Sequence, residues 1–241
     1  MKYHILLTPF LGLISSLSFA QKKITSGIGL DIFQTKLNNV DRENFSGYGH
    51  SVPDFTQNDK LGFGINGIVR LPAYKGCGLE TGLGLTRYSA QFHFDYFHAF
   101  MNRQVNEQFN INLNYLRIPL NLYYDFSISK KSSIIISGGI NFKLLLWADD
   151  NFDEIVFEKI GLPKTYKRYQ SSILGYNVNI SYKYNFQNKK AVELGILLGA
   201  DISKTVNRNT SRLFGFYGNL YPTYYSQYGI SMKYFFTQKL K

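Results

Sequence analysis

The chain has 241 residues, and 27 Lys and Arg against 16 Asp and Glu give it a formal net charge of +11 at pH 7. Aromatic residues make up 17% of the sequence and charged residues only 18%, a composition that excludes an intrinsically disordered chain. The single cysteine, Cys77, excludes an internal disulfide and a cysteine-rich metal site.

The N-terminal segment has the pattern of a secretory signal peptide. A lysine precedes an apolar core, and the small residues Ser18 and Ala20 occupy the −3 and −1 positions before Gln21. After this segment, no stretch is apolar for the roughly 18 positions that a membrane-spanning helix needs. We therefore predict that residues 1–20 are a signal peptide and that residues 21–241 form one exported domain. Export excludes nucleic acid as a partner, despite the basic balance.

The exported part alternates between apolar and polar residues, with the period of two that is typical of β-strands with two different faces. No helical period competes with this pattern. In the third segment the phase slips between Arg87 and Tyr88, which predicts a β-bulge. Eight segments show the alternation, at about residues 24–34, 60–71, 77–96, 109–126, 133–146, 170–186, 191–204 and 220–236.

The connections between the segments are alternately short and long. Residues 72–76, 127–132 and 187–190 form short turns, whereas the connections after the first, third, fifth and seventh segments are longer, with 35–59 and 147–169 the longest. Short turns at one end and long loops at the other are typical of transmembrane β-barrels. We therefore predict an all-β fold, a transmembrane antiparallel up-and-down barrel of eight strands with short periplasmic turns and long extracellular loops. A count of ten strands is the alternative.

The polar face of the segments carries five cations and five anions. A soluble barrel around an apolar ligand, the alternative class, would expose this face to solvent, where no charge balance is needed. A membrane barrel of eight strands encloses the polar face in an interior that side chains fill, and enclosed charges must be paired. We therefore predict a closed, ion-paired lumen formed by Asp31, Arg70, Glu80, Arg117, Asp125, Lys143, Lys183, Glu193, Asp201 and Lys233.

Aromatic residues on the apolar face cluster at the strand ends beside the short turns. Amphipathic rings favour the level of the lipid headgroups, where membrane barrels carry girdles of aromatic residues. Ordinary β-propensity, which also enriches Tyr and Phe in strands, is the alternative explanation. The predicted aromatic girdle consists of Tyr124, Phe126, Tyr182, Tyr184, Phe186, Tyr234 and Phe236.

One strand motif resembles a known family. The segment Tyr115–Phe126, YLRIPLNLYYDF, leads through a short turn into the glycine-containing segment Ile134–Phe142, IIISGGINF. Together with a signal peptide that ends in Phe-Ala-Gln, this resembles the PorT-type outer-membrane β-barrel family of Gram-negative bacteria. The resemblance implies an eight-stranded barrel in the cell outer membrane. Founding members of that family serve protein secretion, which implies an accessory role in secretion, with other envelope or secretion proteins as partners.

Few residues of the sequence suggest catalysis or metal binding. His93 and Asp95 could form a general base with its orienting carboxylate, and His98 follows close by. No serine nucleophile stands in a recognisable motif nearby, so we expect these histidines to lie at the barrel rim without a catalytic role. The acidic loop at 149–154 lacks the glycine and the spacing of a calcium loop. We therefore expect no catalytic residues, no metal and no cofactor.

The long loops carry a basic set of residues that would face the cell surface. Basic loops would meet anionic lipopolysaccharide, so we expect outer-membrane lipid and lipopolysaccharide as partners, with simple solvation of these charges as the alternative. The expected function is that of a structural or interaction component that is closed to solutes. A small passive channel and a rim-active envelope enzyme are the alternatives. The basic loop residues are Lys164, Lys167, Arg168, Lys204, Arg208 and Arg212.

Overall fold

A computed structural model describes residues 24–38, 54–98, 103–151, 169–186, 190–205 and 224–237. In these ranges the chain forms eight strands, β1 Thr25–Asn38, β2 Asp54–Pro72, β3 Cys77–His98, β4 Arg103–Ser127, β5 Ser132–Asp150, β6 Ser172–Asn185, β7 Ala191–Asp201 and β8 Tyr224–Thr237. Each strand pairs antiparallel with the next, and β8 pairs with β1 to close the sheet. The prediction of an eight-stranded antiparallel up-and-down barrel is confirmed, and the ten-strand alternative is wrong. The predicted signal peptide lies outside the described residues.

The alternation of the sequence determines which side chains point into the barrel. In β6, Tyr176, Val178 and Ile180 are exposed on the outer surface, whereas Asn177 and Asn179 are buried inside. The described strands on every side of the barrel show the same arrangement, with apolar residues outward and polar or small residues inward. This arrangement excludes the soluble barrel around an apolar ligand, because such a barrel has its apolar face inside. Among the described residues, no helix is long and apolar enough to cross a bilayer.

The predicted bulge in β3 is wrong. Thr86 and Tyr88 are both buried and Arg87 between them is half-buried, so β3 keeps its phase. The extra residue lies in β2, between Asp59 and Phe63. The alternation of β3 looks interrupted in the sequence because an aromatic residue, Tyr88, points into the polar interior.

The connections at one end are short, and we call this the turn end. The turn between β2 and β3 needs a left-handed backbone at Lys75 and Gly76, with φ of 41° and 87°. At Gly76, a Cβ atom would also lie 2.7 Å from the Asp125 carbonyl oxygen. The opposite end is the loop end. The prediction of a long connection after the third strand is wrong. β3 and β4 both continue at the loop end until only residues 99–102 lie between them.

Three strands continue beyond the others at the loop end. The pairing of β1 with β2 ends at Thr35 opposite Lys60, and the pairing of β5 with β4 ends at Asp150 opposite Ile111. The β3–β4 pairing runs on until His98 lies opposite Arg103. At about 3.3 Å per residue, these last eight pairs add roughly 25 Å along the strand direction. We call this part the extension; it consists of residues 54–59, 91–98 and 103–110.

Candidate functional site

All ten charged residues of the predicted lumen set lie in the barrel interior. Eight of them are at most 8% exposed, and Asp125 and Lys183 are half-buried near the turn end. Every one of the ten takes part in an ion pair. The pairs are Arg70–Glu80, Arg70–Glu193, Lys233–Glu80, Arg117–Asp31, Lys143–Asp201 and Lys183–Asp125. The sequence predicts which residues are enclosed, but it does not predict how they pair.

Four of these charges form what we call the turn-end cluster, namely Arg70, Glu80, Glu193 and Lys233. Strand register places Arg70 opposite Glu80 and Glu193 opposite Lys233 on neighbouring strands. The Arg70 guanidinium donates from Nε to Glu80 and from Nη2 to Glu193, each at 2.8 Å. Lys233 Nζ donates to Glu80 at 2.7 Å. Two cations and two carboxylates therefore join β2, β3, β7 and β8 across the lumen in a neutral network.

Aromatic rings enclose the Arg70 guanidinium. Its central carbon lies 4.4 Å from the ring centroid of Phe235 and 4.9 Å from that of Tyr123. Closer to the turns, Lys183 donates to Asp125 at 2.9 Å. The guanidinium thus has carboxylates in its plane and rings over its faces, an arrangement that suits a planar cation and would not suit Lys. The turn end of the lumen is filled.

A single pair, which we call the central pair, lies farther from the turns. Arg117 donates to Asp31 at 2.7 Å, and the amide of Asn66 donates to the same carboxylate oxygen at 3.0 Å. Register does not place Asp31 and Arg117 opposite each other, since β2 and β3 stand between β1 and β4. The pair therefore spans the lumen, as the turn-end cluster does.

Aromatic side chains fill the lumen towards the loop end. We call Phe33, Tyr88, Tyr115 and Tyr225 the loop-end layer; each is at most 2% exposed. The Tyr88 ring centroid lies 5.4 Å from Phe33, 5.7 Å from Tyr115 and 5.4 Å from Tyr225. Sequence reasoning missed this layer, because it took aromatics as markers of the outer face. The available signal was their parity, which matches that of the enclosed charges.

One ion pair is embedded in this aromatic surrounding. Lys143 binds Asp201, and its Nζ lies 4.3 Å from the Tyr88 ring centroid. Asp201 also accepts a hydrogen bond from Thr205 Oγ1 at 3.1 Å, and the Tyr88 hydroxyl donates to Gln227 at 2.8 Å. The loop end is therefore filled by rings in tilted and edge-on contact around one ion pair, without the charge network of the turn end.

The predicted girdle residues lie on the outer surface, near the ends of β4, β6 and β8 at the turn end. Neighbouring rings on one strand are in contact, with centroids 4.2 Å apart for Tyr124 and Phe126, and 5.2 Å apart for Tyr184 and Phe186. Tyr234 and Phe236 also lie 5.2 Å apart, and Tyr182 is about half exposed at 51%. Their depth in the bilayer stays a prediction.

Of the candidate catalytic side chains, the structure describes that of His93. His93 lies in the extension, half-buried, with Thr56 and Gln108 as its register partners. His98 lies opposite Arg103 at the tip. Among the described residues, no group of three or more His, Cys, Asp and Glu could hold a metal ion.

Most of the loop candidates fall outside the described residues. The acidic loop is described only as far as residue 151, where Asn151 accepts a hydrogen bond from the Asn110 amide at 2.8 Å. Lys204 is exposed at the loop end. The basic loop residues outside the described ranges are Lys164, Lys167, Arg168, Arg208 and Arg212.

Comparisons with known proteins give one family match. The family model for an outer membrane protein beta-barrel domain matches residues 19–199. No curated protein matches the sequence.

Similar solved structures include Ail, the attachment invasion locus protein of Yersinia pestis. Ail is 11% identical, with a TM-score of 0.38, and the match covers 89% of this chain and 100% of Ail. OprG of Pseudomonas aeruginosa is 10% identical, with a TM-score of 0.42 and coverage of 90% and 96%. The N-terminal β-barrel domain of OprF from the same organism is 9% identical, with a TM-score of 0.35 and coverage of 87% and 97%.

Proposed function

This chain belongs to the family of outer membrane protein β-barrel domains and lies in the outer membrane, and we propose that it is a closed barrel serving as a structural and interaction component. The observation that carries this proposal is the filled interior. Ten enclosed charges are all paired, and the packed rings of the loop-end layer fill the lumen on the loop side of the turn-end cluster and the central pair. We place the turn end in the periplasm and the loop end at the cell surface.

The energetics of the interior favour a closed barrel over a passive channel. An eight-stranded barrel is only wide enough for side chains to fill it. A hydrated ion could pass only if the cross-lumen pairs separated, and their separation would leave uncompensated charges in the interior, which is strongly unfavourable. Three such ion pairs span the lumen on the turn side of the loop-end layer. They are Arg70–Glu193, Lys233–Glu80 and Arg117–Asp31.

A solute-flux assay tests the closed lumen. The refolded exported chain is placed in liposomes, which are then diluted into isotonic sugars of increasing size. We expect the swelling rate to equal that of empty liposomes, whereas an open porin in parallel liposomes gives fast swelling. Swelling that depends on the amount of folded protein would favour the passive channel instead.

The interaction part of the proposal depends on the extension. A transmembrane strand needs only about 9 to 11 residues, whereas β3 has 22 and β4 has 25. The surplus length raises a sheet above the lipid surface, where binding residues of barrel proteins are expected. We propose that this surface meets partner proteins, and that exposed Lys204 with the other basic loop residues meets lipopolysaccharide.

A shortened variant tests this assignment. Ala90 lies directly opposite Ile111, so an Asn-Gly turn can replace residues 91–110 without changing the barrel register. We expect this variant to fold and to stay closed, yet to reproduce the phenotype of a deletion strain. If the shortened variant instead restores wild-type behaviour to the deletion strain, the extension has no interaction role.

We further propose that this protein is a PorT-like barrel and that its role is accessory to protein secretion. The motif that resembles this family lies in β4 and β5, where a Cβ atom on Gly139 would approach the Leu120 carbonyl oxygen to 2.1 Å. The motif thus supports close strand packing, and the secretion role depends on the resemblance alone. A deletion strain should lose secreted proteins from its medium while its envelope stays intact; an unchanged secreted profile would refute the role.

We propose that the protein acts without catalysis. The support is that the interior carboxylates and amines are used in ion pairs, while His93 and His98 lie apart in the extension. Replacement of either histidine by Ala should leave envelope lipids and envelope protein cleavage unchanged. An altered lipid A or cleavage pattern would instead support the rim-active enzyme.

A further inference from the structure

A small cavity lies in the middle of the lumen, between the central pair and the turn-end cluster. Asp31 and Arg117 line one part of its wall, and Glu80 and Lys233 line another. The space open to the centres of water molecules is about 20 Å³. A cavity needs roughly 10 to 15 Å³ of such space to hold one water molecule, so this one has room for one or two.

The wall presents several buried polar atoms that have no hydrogen-bond partner within the described chain. They belong to five residues that are each at most 7% exposed. Folded proteins rarely leave such atoms unsatisfied, because they have lost their bonds to bulk water. The atoms are Asn66 Oδ1, Arg117 Nε, Asn121 Oδ1, Asn179 Nδ2, Asn179 Oδ1 and Ser231 Oγ.

The chemistry of this wall selects against an ion. A cation would need oxygen ligands only, but Arg117 and Lys233 face the same space. An anion would need donors only, but Asp31 and Glu80 face it as well. The unpartnered atoms include both donors and acceptors, and the four charges of the wall sum to zero. A molecule that can both donate and accept, and that fits the volume, is water.

We propose that this cavity is a hydrated site, in which one or two ordered water molecules bridge the central pair and the turn-end cluster. The interior of the barrel is then one continuous hydrogen-bonded network from Asp31 to Glu80. This inference is independent of whether the lumen conducts, since ordered water would occupy the site in a closed barrel or in a gated one.

Two serine variants give a matched test. Ser231 and Ser137 are both buried, at 2% and 1% exposed, and both have an unpartnered hydroxyl. Ser231 lines the cavity, whereas Ser137 is not part of its wall. In a hydrated cavity, Ser231→Ala removes a hydrogen bond to water and lowers the urea midpoint for unfolding from lipid vesicles. Ser137→Ala removes an unsatisfied hydroxyl and leaves the midpoint equal or higher. Shifts of the same sign in both variants would overturn the proposal.

A crystal structure of the wild-type protein keeps the test independent of the variants. Soaks in rubidium and bromide salts identify ions by their anomalous scattering. The expected result is ordered water within hydrogen-bond distance of Asn179 and Arg117, with no anomalous peak there. A dry cavity, or a rubidium or bromide peak in it, would overturn the proposal.

Discussion

At the turn end the lumen is filled by four charges in a neutral network, whereas at the loop end it is filled by four packed aromatic side chains around one ion pair. The side chains of both regions are almost fully buried. Their sensitivity to change differs, because removal of one charge leaves its partner uncompensated, while removal of a ring leaves a void. One barrel wall thus supports two kinds of filled interior.

The largest expected effect comes from Arg70 in the turn-end cluster. Arg70→Met leaves the buried Glu193 without its ion-pair partner, and it leaves Glu80 with Lys233 as its only remaining partner in the cluster. We expect a loss of about 3 to 5 kcal/mol in the free energy of unfolding, measured by urea titration of tryptophan fluorescence in lipid vesicles.

The double variant Arg70→Met with Glu193→Met is its control. The remaining Lys233 and Glu80 then form a neutral pair, so most of the lost stability should return. A double variant as unstable as the single one would show that ring packing around Arg70, rather than charge balance, closes the turn end.

A smaller effect is expected from the loop-end layer. Tyr88 touches Phe33, Tyr115 and Tyr225 and is 1% exposed, so Tyr88→Ala should cost about 3 kcal/mol through the void that it leaves. The conservative Tyr88→Phe keeps the ring and loses the hydroxyl with its hydrogen bond to Gln227, which is worth about 1 kcal/mol. The same urea titration measures both. Equal losses would mean that the hydroxyl, not the ring, is the stabilising part.

The smallest effect is expected at the half-buried pair beside the turns. The side chains of Lys183 and Asp125 keep 21% and 23% of their exposure, so water already screens them. Lys183→Met should cost at most about 1 kcal/mol. If Lys183→Met lowers the free energy of unfolding as much as Arg70→Met does, the Lys183–Asp125 pair belongs energetically to the turn-end cluster.

The sequence predicts the barrel and its enclosed charges because lipid imposes one rule on every strand. Each outward position must be apolar, so alternation separates Glu193 and Lys233 from their outward neighbours. Pairing could not be predicted in the same way. Register sets Arg70 opposite Glu80, but its contact with Glu193 depends on how side chains cross the lumen.

Sequence reasoning missed two features, the loop-end layer and the extension. In neither of them does the requirement for apolar outward-facing residues produce a recognisable pattern. Inside the barrel, Tyr88 and Tyr115 are buried by packing against other rings, and Tyr88 looked like an interruption of the alternation in the sequence. In the extension, residues 103–108 show no apolar alternation. A strand there cannot be distinguished from a loop by its sequence pattern, although β4 starts at Arg103.

The most direct test of the closed lumen is the conductance of the refolded exported chain in a planar lipid bilayer, run beside a heat-dependent gel-mobility check that the barrel has formed. We expect folded protein with a flat current trace, because the turn-end cluster, the central pair and the loop-end layer fill successive levels of the lumen. Reproducible current steps that scale with the amount of folded protein would contradict this expectation.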